Sequence, residues 1–124
     1  MATNTYVPLI SYTLPSNAST VTLGTGGQGT IPSTYTDLVL VAKVKTVTYS
    51  GVDINVRVGN NSIDTNSNYS TTSMKGDGSS ALTSRTTSAT YFSIDNLSIM
   101  STDQWTSCIL NFHNYSNTNV YKNI

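Results

Sequence analysis

The chain has 124 residues, 37% of them hydrophobic and only 10% charged, with six Lys and Arg balanced by six Asp for a formal net charge of zero. That length suits one domain with a core of its own, and the neutral balance gives no electrostatic footprint for nucleic acid or an anionic membrane. Ser, Thr and Asn fill roughly two-fifths of the chain and Glu is absent, so good helix formers are scarce and the composition points to an all-β protein.

Cys108 is the sole cysteine, so no internal disulfide framework is possible. Met1 to Tyr6 has neither a basic start nor an apolar run, and no stretch approaches the length of a membrane span. Synthesis and folding in a cytoplasm are expected.

Taken in order, Tyr6 to Leu14 reads as a first strand carrying Val7, Leu9, Ile10 and Tyr12, confined to an edge by Pro8. Pro15-Ser16-Asn17 is a turn and Thr20 to Leu23 a short second strand. Gly24-Thr25-Gly26-Gly27-Gln28-Gly29 matches G-x-G-x-x-G. A dinucleotide fingerprint needs a helix opening directly after it, whereas Thr30-Ile31-Pro32 follows, so the stretch reads as a flexible turn.

Ile31 to Val47 is the one long run dense in β-branched and aliphatic residues. From Leu38 on, Leu38, Leu40, Ala42 and Val44 share one side of a two-residue repeat, and Val39, Val41, Lys43 and Lys45 share the other. After Tyr49-Ser50-Gly51, Val52, Ile54, Val56 and Val58 alternate with Asp53, Asn55 and Arg57. The two runs are expected to pair as an antiparallel hairpin whose eight inward residues form one core.

Asp64-Thr65-Asn66-Ser67-Asn68 resembles the opening of a calcium loop. Tyr69 replaces the required glycine, however, and Lys75 stands where the bidentate Glu belongs, so a solvated Asx-rich loop is expected. Asn68 to Met74 is a polar strand, Lys75-Gly76-Asp77-Gly78 a tight turn, and Ser79 to Ala89 a mobile Ser/Thr loop. Thr90 to Ile94 is a short strand, and Leu97, Ile99 and Met100 form an apolar patch. Trp105 to Phe112 is the last clear strand, with Cys108, Leu110 and Phe112 on one face and Trp105 and Ile109 on the other. Asn114 to Asn119 is a turn, and Val120-Tyr121 begins a further strand. Turn signals about every ten residues, without a helical period, give an antiparallel β-sandwich of jelly-roll type.

No constellation specifies a reaction, metal or cofactor. His113 stands alone between Phe112 and Asn114, the six Asp are dispersed, and Cys108 sits in an apolar strand. The five N-x-S/T triplets, at Asn17, Asn60, Asn68, Asn96 and Asn114, are what chance gives in this composition. Tyr35, Tyr49, Tyr69 and Tyr115 lie near turns, either as stacking platforms for sugar rings or as hydrogen-bonded packing residues.

Three stretches together carry a resemblance. They are Ile31 to Leu40, Asn68-Tyr69-Ser70 with Gly76-Asp77-Gly78-Ser79-Ser80, and Leu110-Asn111-Phe112-His113-Asn114-Tyr115. In that order, with Tyr6-Val7-Pro8-Leu9 near the start, the chain resembles small β-rich structural proteins of tailed bacteriophages, common in marine and cyanobacterial phages, of the capsid-decoration or fibre type. The resemblance implies a non-catalytic role at the virion surface. Capsid subunits and sister copies are the expected partners, in a homo-oligomer, a trimer.

Family members continue past the third stretch, so residues 1–124 are expected to form one sandwich domain lacking closing strands, which lie outside this sequence or come from another chain. A capsid decoration or cement protein is the leading expectation. The alternative is a tail- or head-fibre module holding host glycans, and a depolymerising tailspike would need paired acids. Val39 and Val41, apolar on the face opposite the core, and Tyr69 and Tyr115 are the candidate partner or glycan contacts.

Overall fold

A computed structural model describes residues 6–24, 28–48, 53–60, 62–76, 78–94, 102–117, 119 and 123–124. Among these, every regular element is a strand, and three of the strand pairs described below are antiparallel ladders. Scarce helix formers and abundant Thr, Val, Ile and Tyr account for this. The strands are β1 (Leu38–Val44), β2 (Ile54–Val56), β3 (Gly59–Asn60), β4 (Ser62–Ile63), β5 (Tyr69–Gly76), β6 (Ala81–Ala89), β7 (Phe92–Ile94) and β8 (Thr106–Phe112). They pair two by two, β1 with β8, β2 with β7, β3 with β4 and β5 with β6. The chain divides into two compact units, Met1–Val41 with Ile109–Ile124, and Ala42–Cys108.

In the first unit the beginning of β1 and the end of β8 carry the alternation read from sequence. Leu38 and Leu40 are half-buried and Val39 and Val41 exposed, while Leu110 is buried between exposed Ile109 and Asn111. Segments 6–14 and 20–23, expected to be strands, form no ladder. Pro8 removes a donor from the first. Ile10 rests on Gly29 and Ile31 on Gly24. Both glycines have positive φ (84° and 85°), so a Cβ there would meet both strain and an isoleucine.

In the second unit β2 pairs with β7 in the register Ile54↔Ile94, Asn55↔Ser93 and Val56↔Phe92. The expected hairpin of β1 with β2 is therefore replaced by β1–β8 and β2–β7. Alternation fixes which face of a strand is dry but not which strand lies beside it, and the long connection from β1 to β2 sets no tight-turn register. Ala42, Val44, Ile54, Val56 and Val58 are half-buried as expected, but they belong to this unit while Leu38 and Leu40 belong to the other.

The long element of this unit is the β5–β6 ribbon. Its register runs from Tyr69↔Ala89 through Ser73↔Ser84 to Gly76↔Ala81, and the Ser73 and Ser84 hydroxyls meet at 2.7 Å. Between Tyr69↔Ala89 and Thr71↔Thr86 one residue of β5 faces two of β6, a bulge at which Ser88 takes φ 55°. Residues 79–89, expected to be a mobile loop, therefore contribute a nine-residue strand. All of β6 up to Ser88 is exposed, so no apolar periodicity marks it. Backbone pairing and the β-branched threonines hold it. The expected turn at 49–51, Val52, the patch at Leu97, Ile99 and Met100, and the strand beginning at Val120 lie outside the described residues.

Tyr69 and Leu110 are the buried hydrophobic residues among those described, each 9% exposed. Leu110→Ala is expected to lower stability by about 2–3 kcal/mol and the melting temperature by roughly 10 °C. Val41→Ser, on the outward side of β1, is expected to change stability by less than about 0.5 kcal/mol. Thermal unfolding followed by circular dichroism checks both. Equal losses would mean that the inward and outward faces are wrongly assigned.

Candidate interaction surfaces

Two hydrogen-bonded fasteners position the exposed surfaces. In the first unit, a turn at the end of β8 folds onto the approach to β1. Asn114 takes φ 51°, a left-handed conformation that Asn tolerates, and its N–H donates to Asp37 Oδ1 at 2.7 Å. Tyr115 N–H donates to the Thr36 carbonyl at 3.1 Å, Tyr115 O–H to the Pro32 carbonyl and Ser116 O–H to the Tyr35 carbonyl at 3.3 Å. His113 Nδ1 lies 3.8 Å from Asp37 Oδ1, with both side chains more than half exposed. His113 N–H donates to the Asn123 carbonyl at 3.2 Å.

In the second unit, the Tyr69 hydroxyl reaches the chain preceding it. It accepts from Val58 N–H at 3.1 Å and lies 3.1 Å from the Val58 carbonyl and 3.0 Å from the Asp64 carbonyl. Asp64 organises the connecting loop. Asn66 N–H donates to its Oδ1 at 2.9 Å and the Asn68 side-chain amide to its Oδ2 at 2.8 Å. The Asn68 bond, then that from the Asn66 backbone, hold the Asp64 carboxyl below its ordinary value of 3.8. Both carboxylate oxygens thus serve the loop itself, as an Asx-rich turn requires.

The candidate contacts fall in different places. Val39 and Val41 are exposed on the outward side of β1, Val41 at 70%, and Ile109 is 64% exposed on the outward side of β8. The first unit therefore presents aliphatic side chains from both strands of a pair. Tyr69 is buried with its hydroxyl engaged, so its ring is a packing surface and not a sugar platform. Tyr115 is half-buried and bound to Pro32.

Sequence reasoning missed two further features. Met74, 84% exposed, stands out on the β5–β6 ribbon. Trp105, 58% exposed, lies with both Lys43 Nζ and Lys45 Nζ at 5.6 Å from its ring centroid. The signal for the second was present, since the two lysines recur at the strand period on one face. Nothing local, however, pointed sixty residues ahead to their aromatic partner. Each such contact at an exposed site contributes about 0.5–1 kcal/mol. Arg57 repeats the arrangement, donating to the Thr90 carbonyl at 2.8 Å and lying 5.6 Å from the Tyr91 ring.

A shallow hollow of about 180 Å³ lined by Tyr12, Leu14, Pro15 and Val21 is smaller than ordinary ligand pockets of roughly 300–1,000 Å³. Cys108 is half-buried; burial pushes its thiol up, and a backbone hydrogen bond with Ala42 offsets this only in part. The chain matches no protein-family model, and no curated protein or solved structure is significantly similar to it.

Tyr69→Phe strips the Val58 and Asp64 backbone groups of a partner and is expected to cost about 1–3 kcal/mol in urea unfolding. A loss below about 0.5 kcal/mol would show that water replaces the hydroxyl without penalty. The depressed Asp64 value means that its contribution to loop order is complete above its ordinary value and lost as pH falls through the lower, folded value. The Asn66 amide resonance should therefore titrate with a midpoint below 3.8, and Asp64→Asn should abolish that inflection. A midpoint at or above the ordinary value would contradict the loop geometry.

Proposed function

We propose that the chain is a structural protein of a tailed-bacteriophage virion, a decoration or cement protein on the capsid surface. In this reading it is an antiparallel sandwich of jelly-roll type, acts as a homo-oligomer, a trimer, and performs no catalytic step. It is made in the bacterial host cytoplasm and ends on the particle. The resemblance of the three stretches supports the phage assignment. The observation that carries the assembly role is the outward aliphatic surface of the first unit, with Val41 and Ile109 each more than three-fifths exposed. In this reading the exposed aliphatic side chains of the two paired strands belong to one patch, which a partner protein covers. The rest of the surface suits such a partner, because hydroxyls and amides make a wide, wet interface with about one hydrogen bond per 100–200 Å².

Two of the three resembling stretches are the halves of the Asp37–Tyr115 fastener, and the third holds Tyr69 and the tip of the ribbon. These stretches thus serve the architecture that presents the outward surface. In the fibre alternative, host glycans would lie on exposed tyrosines. The burial of Tyr69 disfavours that version of it.

The test adds purified protein to capsids stripped of it. Saturable binding that changes less than about threefold between roughly 0.05 and 0.5 M salt is expected, because few ion pairs contribute. Val41→Asp should weaken binding at least about tenfold while leaving the melting temperature nearly unchanged. Binding to host cells with none to capsids would replace this reading with the fibre one. Sedimentation of a monomer at high concentration would remove the preformed trimer.

A further inference from the structure

We infer that Trp105, with Lys43 and Lys45 over it, is a binding platform for an acidic saccharide, a sugar ring bearing a carboxylate. All three residues belong to the second unit. Lys43 and Lys45 are two positions apart along the β1 direction, so their side chains leave the same side of the chain. Trp105 immediately precedes β8, the strand paired with β1. Each ammonium lies 5.6 Å from the indole centroid, yet more than half of the tryptophan remains open. An indole with so much open surface is an amphipathic surface held in place, not a core residue.

The chemistry of the cluster selects the ligand. The open indole surface can take the C–H face of a pyranose ring. Each ammonium lies within 5.6 Å of the indole centroid, so a carboxylate carried by a ring seated on the indole can be met by one or both of them in charge-assisted hydrogen bonds. Ser107, exposed two residues beyond Trp105 on the outward side of β8, offers a hydroxyl to the sugar. A neutral sugar would leave both ammonium groups unused. A nucleic-acid strand would also stack on indole, but it needs cations spaced along successive phosphates. Six Lys and Arg against six Asp, with a net charge of zero, do not supply that track. The platform is independent of the capsid reading, since it can be present or absent on a protein at either place in a virion.

A single platform of this size should bind with a dissociation constant of about 1 mM, and repeated copies would raise the apparent affinity. Trp105 is the sole tryptophan, so its fluorescence reports occupancy directly. The probes are tri-galacturonate, its methyl ester and oligothymidylate. A saturable change in emission with tri-galacturonate, at least about tenfold weaker with the methyl ester, is expected. The double variant Lys43→Met, Lys45→Met should weaken tri-galacturonate binding roughly five- to tenfold, with thermal unfolding recorded alongside. Trp105→Ala should abolish binding measured by calorimetry. Equal responses to acid and ester, or none to either up to roughly 20 mM, would overturn the proposal. A stronger response to oligothymidylate would overturn it in favour of a nucleic-acid platform. The comparison of acid with ester uses the unaltered protein and so holds even if the double variant fails to fold.

Discussion

The first unit depends on the Asp37 carboxylate meeting the Asn114 backbone across 77 residues of sequence. Closing a loop of that length costs on the order of 4 kcal/mol in chain entropy beyond the constant term. Four hydrogen bonds gather at the closure, to Pro32, Tyr35, Thr36 and Asp37, each contributing about 1 kcal/mol net. Cost and gain are of the same size. The fastener therefore does not carry the unit alone. It fixes how β8 meets β1, and that placement lets Leu110 turn inward while Val41 and Ile109 turn out. Asn114 suits its position because its φ of 51° is costly for most side chains and tolerable for Asn.

The second unit solves the same problem with an aromatic hydroxyl. Tyr69 is buried at the start of the ribbon, and its O–H gathers the backbone of Val58 and Asp64. The tight β3–β4 hairpin lies between those two residues. It admits only glycine at position 59, since a Cβ there would collide with the Ser62 carbonyl. A chain with few large aliphatic residues thus replaces part of the usual dispersion and burial energy with directed bonds from Asp, Asn, Ser and Tyr side chains to its own backbone. That explains how so high a proportion of Ser, Thr and Asn is compatible with a defined fold.

Much of the strand content was legible in the sequence. The alternation over Leu38–Val44, the inward set on β8 and the turn at Asn114 follow directly from residue type and period. Partner choice was not legible, because a period of two assigns faces and leaves pairing to turns and distant contacts, as β1 with β8 illustrates. Of the ribbon, β5 was legible as the polar strand from Asn68 to Met74, and only β6 was hidden, for the opposite reason. β6 is wet on both sides, so it has no apolar period to read. Of the surface candidates, Val39 and Val41 could be placed by period alone. Tyr69 could not be assigned between platform and packing until its hydroxyl partners were known, and Trp105 became visible only when β8 brought it beneath two lysines.

Composition and architecture together set how such a chain can associate. With few charges, neither long-range repulsion nor steering controls encounter, so specificity must come from shape, hydroxyl geometry and a few aliphatic anchors. The described strands pair two by two and leave backbone edges that natural proteins commonly guard with lysine or proline. On β6 the single charged residue is Arg85, at its centre, and the remainder is Ala, Leu, Ser and Thr. The alternation that turns Leu38, Leu40 and Leu110 inward therefore also leaves Val39, Val41 and Ile109 exposed on the other side. In this fold, stability within the chain draws on a small set of directed bonds.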